Sequence, residues 1–292
     1  MKNSVKQHVS ALAAVLACLA LALVLYHSLA GGTLLQSSPY NSYALQAENW
    51  LAGRNYIANG ENYTWLELAI YQGRYYQSFP PVPAVLMLPF VAAAGEWSAI
   101  PGNLIAMGLA LLCAGGVYAC CMRGGMRPVT CAFFTLFVSM GSNVFWMSTS
   151  DGVWFLAQVC ALGFAFWGLF FAQGGNAVQD AAASLCMALA VGCRPFYALL
   201  LACWLGWQFY QRRSLKRILP ALLPAIVAAA CMMAYNFARF GSVTEFGHNY
   251  LPEFVRAENG QFSLTYLVPN LLQLLRPVTL DAQGQLHFEI YN

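Results

Sequence analysis

The chain has 292 residues, of which 60% are apolar or aromatic and only 9% charged, and it carries a net charge of +3. A soluble domain carries roughly 25% charge, so these few charges cannot cover a water-exposed surface of this size, and a disordered chain is excluded too. The small positive balance, with no basic stripe interleaved with aromatics, also excludes a nucleic-acid partner.

What remains is a multi-span membrane protein, and the charge-free runs give its elements in order. A spanning helix needs about 20 mostly apolar residues. Each run is too long, and too poor in period-two alternation, for a barrel strand. The expected fold class is therefore an all-α polytopic membrane protein. The first span is 9–30. Lys2 and Lys6 before it and Ser28-Leu29-Ala30 at its end are reminiscent of a signal peptide. The run of about 20 apolar residues exceeds the usual length of such a peptide, which favours a retained anchor.

Residues 31–98 form a loop long enough to carry its own structure. Ser38-Pro39 opens a helical stretch, Tyr40–Leu51, stopped by Gly53. Tyr43, Ala47 and Trp50 fall on one face with Glu48 and Asn49 beside them, as in a helix lying on the membrane. ENYTWLELAIY reads as a second helix, with Trp65, Leu68 and Ala69 on one side and Glu67 towards another. GRYYQSFPPVP follows and holds Arg74, Tyr75 and Tyr76. An aromatic belt that only anchors the chain is one reading of this loop. Glu67 and Arg74 within the aromatic run favour a functional one. Pro81–Gly95 is short and carries Pro81, Pro83 and Pro89, so it reads as an interfacial helix rather than a span.

Further spans are expected at 99–121, 129–147, 152–172 and 218–238. Asp151 ends MSTSD before one of them, where it serves either as a helix cap or in function. The stretch 181–210 is interrupted by Arg194-Pro195 and reads as two short helices meeting there. An interfacial arginine is costly and needs a partner, an anionic lipid phosphate or a carboxylate. YNFARFGSVTEFGHNY then brings Arg239, Glu245 and His248, and Asn259-Gly260 and Gln283-Gly284 read as turns. Glu245 and His248 are close enough in sequence to leave a divalent metal open as a cofactor, although Gly247 favours a turn and no third ligand is evident. The ten cysteines lie in or near apolar helices, with no CxxC pair, and read as packing residues.

Basic residues in short loops set orientation. One topology puts Lys2, Lys6, Arg123, Arg127, Arg212, Arg213, Lys216 and Arg217 on one side, which is then cytoplasmic together with the N-terminus. All acidic residues but Asp180 then face out. The expected domains are a transmembrane domain over 1–238, including the outer loop 31–98, and an outer loop segment over 239–292. The latter ends LHFEIYN and reads as continuing into further spans.

The order of segments, with SYALQAENWLAGRNY, LELAIYQGRYYQSFPPVPAVLMLPF and YNFARFGSVTEFGHNY as its motifs, resembles membrane glycosyltransferases of the GT-C fold. The bacterial branch related to protein O-mannosyltransferases and aminoarabinose transferases is the most similar. The resemblance covers most of the chain. It implies a GT-C-like bundle in the cell membrane that takes a sugar from a polyprenyl-phosphate carrier and passes it to an acceptor, not identified by the sequence, at the outer face. Basic side chains would hold the carrier phosphate: Arg194 and Arg239 match such positions, with Arg74, Tyr75, Tyr76 and His248 as further substrate-binding candidates. The acceptor hydroxyl needs a carboxylate within hydrogen-bond reach, and the leaving phosphate needs positive charge.

The chain departs from the family at SSPYNSY, where Tyr40 and Asn41 stand in place of an acid. Either Glu67 or Glu48 takes that role, or the protein does not catalyse the reaction. Glu67, lying before YQGRYYQSFPP, is the first choice, and Asp151 matches a second outer acid of the family. A GT-C-like protein that binds lipid-linked sugar or assists a partner without turnover is the alternative. A transporter or flippase is a weaker third, because the sequence shows no internal repeat.

Overall fold

Where no water is at hand, every backbone N–H and C=O has to be paired, and long apolar runs achieve this as helices. The structure, a computed structural model, describes residues 2–252, 259, 263–275, 279–280 and 286–287. In chain order its elements are α1 (Lys2–Leu29), α2 (Ser42–Leu51), β1 (Leu68–Tyr71), β2 (Arg74–Gln77) and α3 (Val82–Ala94). They continue with α4 (Gly102–Arg123), α5 (Pro128–Met140), α6 (Val144–Met147), α7 (Val153–Ala172), α8 (Ala177–Val191), α9 (Ala198–Arg212) and α10 (Leu215–Phe240). A short α11 (Leu267–Leu274) and the two-residue strands β3 (Thr279–Leu280) and β4 (Leu286–His287) follow. Of the turns expected at Asn259-Gly260 and Gln283-Gly284, only Asn259 lies within the described residues.

Among the described residues, four helices are long and apolar enough to cross a membrane: α1, α4, α7 and α10. They fall on the expected runs 9–30, 99–121, 152–172 and 218–238. Large apolar side chains such as Leu21, Phe133, Trp207 and Ile226 point outward with more than half their surface exposed. An apolar belt of this kind needs an apolar surrounding. The chain is an all-α membrane protein. α4 packs on α7, α7 on α8 and α8 on α10, while α1 lies against α4 and α5.

The expectation for 129–147 is corrected. α5 has 13 residues and stops at Gly141, and the four residues of α6 follow after a break. Arg194-Pro195 does separate two helices of 15 residues, α8 and α9. α3 has 13 residues, about 20 Å at 1.5 Å per residue, and closes on Gly95. This is short of a membrane's apolar thickness of about 30 Å. All ten cysteines are free.

Two further corrections concern the segment between α1 and α4. ENYTWLELAIY is not a helix. Leu68–Tyr71 pairs antiparallel with Arg74–Gln77, from Leu68↔Gln77 to Tyr71↔Arg74. The two-residue loop Gln72-Gly73 has φ of 50° and 73°, the positive pair that a tight hairpin requires. α2 does not lie on a surface either. Seven of its ten residues are buried, including Tyr43 and Ala47, because α3 and the hairpin fold over it. α2, α3 and the hairpin together cap one end of the bundle, and the ends of α1, α7, α8 and α10 meet them there.

Candidate functional site

The cap is held by Asp151, the residue two before α7. Its carboxylate is fully buried. Oδ2 accepts hydrogen bonds from the Ser37 hydroxyl and the Asn41 side-chain amide, both at 2.6 Å, and Oδ1 accepts from the Ser38 N–H at 2.7 Å. Asn41 in turn accepts from the Ala44 N–H at 3.0 Å and so caps α2. The Val153 N–H donates to the Tyr40 carbonyl at 3.0 Å. On the other side, the Asp151 N–H donates to Asn103 Oδ1 at 3.2 Å, and the Asn103 amide donates to the Thr33 carbonyl at 2.9 Å. Thr33 Oγ1 meets His27 Nδ1 at 2.8 Å, which extends the seam to the end of α1. Gly102 lies so close that a Cβ there would run into the Asp151 carboxylate.

The helix-cap reading of Asp151 is therefore corrected. The N-cap of α7 is Gly152, and the carboxylate turns away to bind a segment more than a hundred residues distant. Burial pushes its carboxyl above the usual range, and the donors from Ser37, Ser38 and Asn41 pull it part of the way back.

A second acid, Glu67, stands just before β1 and is half-buried. Its carboxylate accepts from Trp154 Nε1 at 3.2 Å, and its carbonyl accepts from the Ser78 hydroxyl at 2.9 Å. Trp154 sits in the first turn of α7, and its carbonyl accepts from Arg194 Nη2 at 2.8 Å. The Arg194 guanidinium lies 5.6 Å above the Phe79 ring, and His248 meets that ring edge-on at 6.4 Å. Tyr40 packs on Trp154 with ring centroids 5.5 Å apart. Glu67, Trp154, Arg194 and the aromatics around them thus form one cluster drawn from the hairpin, α7 and the α8–α9 break.

Arg239, one residue before the end of α10, is 4% exposed. Nη1 donates to the Gln77 carbonyl at 2.6 Å and Nη2 to Asn236 Oδ1 at 3.0 Å, while the guanidinium stacks on Tyr235 at 4.0 Å and Phe240 at 4.7 Å. Nε of both Arg194 and Arg239 is buried without a partner, and the described residues place no carboxylate within 4 Å of either guanidinium. Tyr235 also lines an apolar groove of about 610 Å³ between α3, α8 and α10, with Trp50, Val82, Leu189 and Val227 among its walls. The groove is therefore lined in part by the ring on which Arg239 stacks.

The other candidates lie outside the Glu67–Trp154–Arg194 cluster, and Tyr76 among them packs on Phe240 beside Arg239. Arg74 is exposed at the hairpin tip, stacked on Tyr56 at 4.8 Å. Tyr75 packs beside Ile57 and Leu68, with Gly60 against its ring, and Tyr76 is buried between Ala69 and Phe240. Glu48 is half-buried on α2, and its side chain makes no hydrogen bond or ion pair with the described residues. The carboxylate of Glu245 accepts from the Gly247 N–H and the Asn249 amide, both at 2.7 Å, which makes a turn. No group of three metal-type ligands occurs among the described residues.

Trp154, Phe79, Gln77 and Tyr235 escaped the sequence reading. A signal existed for one of them: Tyr235 precedes Arg239 by four residues, one turn of the same helix. No protein family, curated protein or solved structure matches the chain.

Proposed function

We propose that the protein is a GT-C-like, multi-pass glycosyltransferase of the cell membrane, with its N-terminus cytoplasmic, that takes a sugar from a polyprenyl-phosphate carrier. One observation carries this reading. Two arginines at the cap, Arg194 and Arg239, are held by neutral carbonyls, an amide and aromatic rings, with no carboxylate of the described residues within 4 Å, and one of them stacks on a ring that lines an apolar groove. A buried cation is costly unless an anion reaches it. An isoprenoid chain in the groove with its phosphate at the arginines answers both features. In the transfer step an acceptor hydroxyl gives its proton to Glu67 as its oxygen bonds to the anomeric carbon. The bond from that carbon to the carrier phosphate breaks, and the phosphate leaves with its charge met by the arginines. Asp151 holds the cap in register and is a positioning residue.

A binder without turnover is the second reading, and Asn41 favours it. This residue stands where the resemblance expects an acid, and both ends of its amide are committed to Ala44 and Asp151. Transfer from polyprenyl-phosphate-linked sugar, assayed with the wild type and Glu67→Gln, decides between them. Turnover that the variant loses supports the enzyme. Carrier binding with no turnover in either supports the binder.

A further inference from the structure

The bundle end opposite the cap holds a second site, independent of the proposed transfer. A cleft of about 1140 Å³ opens there between the first turns of α1 and the loop joining α4 to α5. Its polar lining includes Lys6, His8 and Arg127. The His8 ring is held in place by Tyr118, whose hydroxyl lies 3.1 Å from Nδ1 and donates to the His8 carbonyl. Neither Lys6 nor Arg127 makes a hydrogen bond or an ion pair with a described residue. The described acid at this end, Asp180, is committed to Arg212 at 2.5 Å.

The rest of the cleft is apolar and open. Met122, Met126 and Val129 line it, each well exposed, with Val129 at 80%. The cleft lies where α1 and α4, two of the helices able to cross a membrane, come to their ends. Two cations without a partner among the described residues and a fixed imidazole suit a phosphate, and exposed methionine and valine beside them suit glycerol and the first acyl carbons. A free anion would make no use of that apolar wall.

We infer that this cleft binds the headgroup of an anionic phospholipid, its phosphate between Lys6 and Arg127 and its upper acyl chain against Met122, Met126 and Val129. The test uses the full chain in detergent, given phosphatidylglycerol, phosphatidylcholine or inorganic phosphate, with bound molecules counted by native mass spectrometry. Lys6→Gln with Arg127→Gln is compared with Arg213→Gln with Lys216→Gln, which removes the same charge at the same end outside the cleft. The expected result is retention of phosphatidylglycerol over phosphatidylcholine, reduced about thirtyfold in the first pair and unchanged in the second. The two single variants, each expected to lose about fivefold, replace the pair if it does not fold. Equal loss in both pairs would reduce the effect to general charge attraction and overturn the site. Absence of lipid preference, or displacement of lipid by inorganic phosphate alone, would overturn the lipid assignment.

Discussion

Asn41 donates its side-chain amide to the Asp151 carboxylate at 2.6 Å, joining the start of α2 to the start of α7 across 110 residues of chain. Asn41→Asp would set two carboxylates against each other in a buried place. Like charges there cannot both ionise, so one keeps its proton and its pKa rises. Thermal unfolding at neutral pH should show a loss of about 2–4 kcal/mol relative to wild type. The reciprocal pair Asn41→Asp with Asp151→Asn restores one donor facing one acceptor and should recover a good part of that loss.

Gly102→Ala acts on the same contact from α4. A Cβ at that position would strike the Asp151 carboxylate, with Ser37 close behind it. Disturbing these buried bonds should cost about 1–3 kcal/mol, read in the same unfolding assay.

The pH dependence follows from the direction of the Asp151 shift. Its folded pKa is raised, mainly by burial, so the folded state binds the proton more tightly than the unfolded chain. Stability from this group is greatest below the unfolded carboxyl range and declines as pH rises through the raised folded value. Asp151→Asn should flatten that part of the stability profile. An unchanged profile would show that Asp151 does not titrate differently on folding.

Arg239→Gln should weaken binding of a polyprenyl phosphate by about 10–100-fold, because it removes a buried cation. Arg239→Lys should rescue little, since one ammonium cannot keep the bonds to Gln77 and Asn236 while stacking on Tyr235. Binding of the same isoprenoid as its neutral alcohol should change far less, which separates a lost phosphate contact from a damaged groove.

The transmembrane helices were legible because the signal is local: α1, α4, α7 and α10 each hold a long run without charge, with the basic residues confined to their ends, and Arg194-Pro195 marks its own break. The hairpin was not. LELAIY has the apolar content of a helix face, and the clue was the small step Gln72-Gly73, which only a reading of turn chemistry would weigh. α2 looks amphipathic in isolation, and its burial depends on α3 and the hairpin, which lie beyond any helical window. The Asp151 seam was illegible for the same reason. Its partners are Ser37, Ser38, Asn41 and Asn103, and no spacing rule links them to a residue at the head of α7. Arg194 stands out in the sequence as a costly charge and Glu67 as an acid within an aromatic run, but Trp154, which bridges them, carries no charge to flag it.

The most direct measurement is sugar transfer by the purified full chain from a polyprenyl-phosphate-linked sugar, with carrier binding followed in parallel, for wild type and Glu67→Gln. The variant keeps an oxygen to accept from Trp154 Nε1 but can no longer take a proton. Turnover in the wild type, reduced about 100-fold or more in the variant while carrier binding and stability are retained, is the predicted result. Full turnover in Glu67→Gln, or a wild type that neither binds the carrier nor transfers its sugar, would contradict the account.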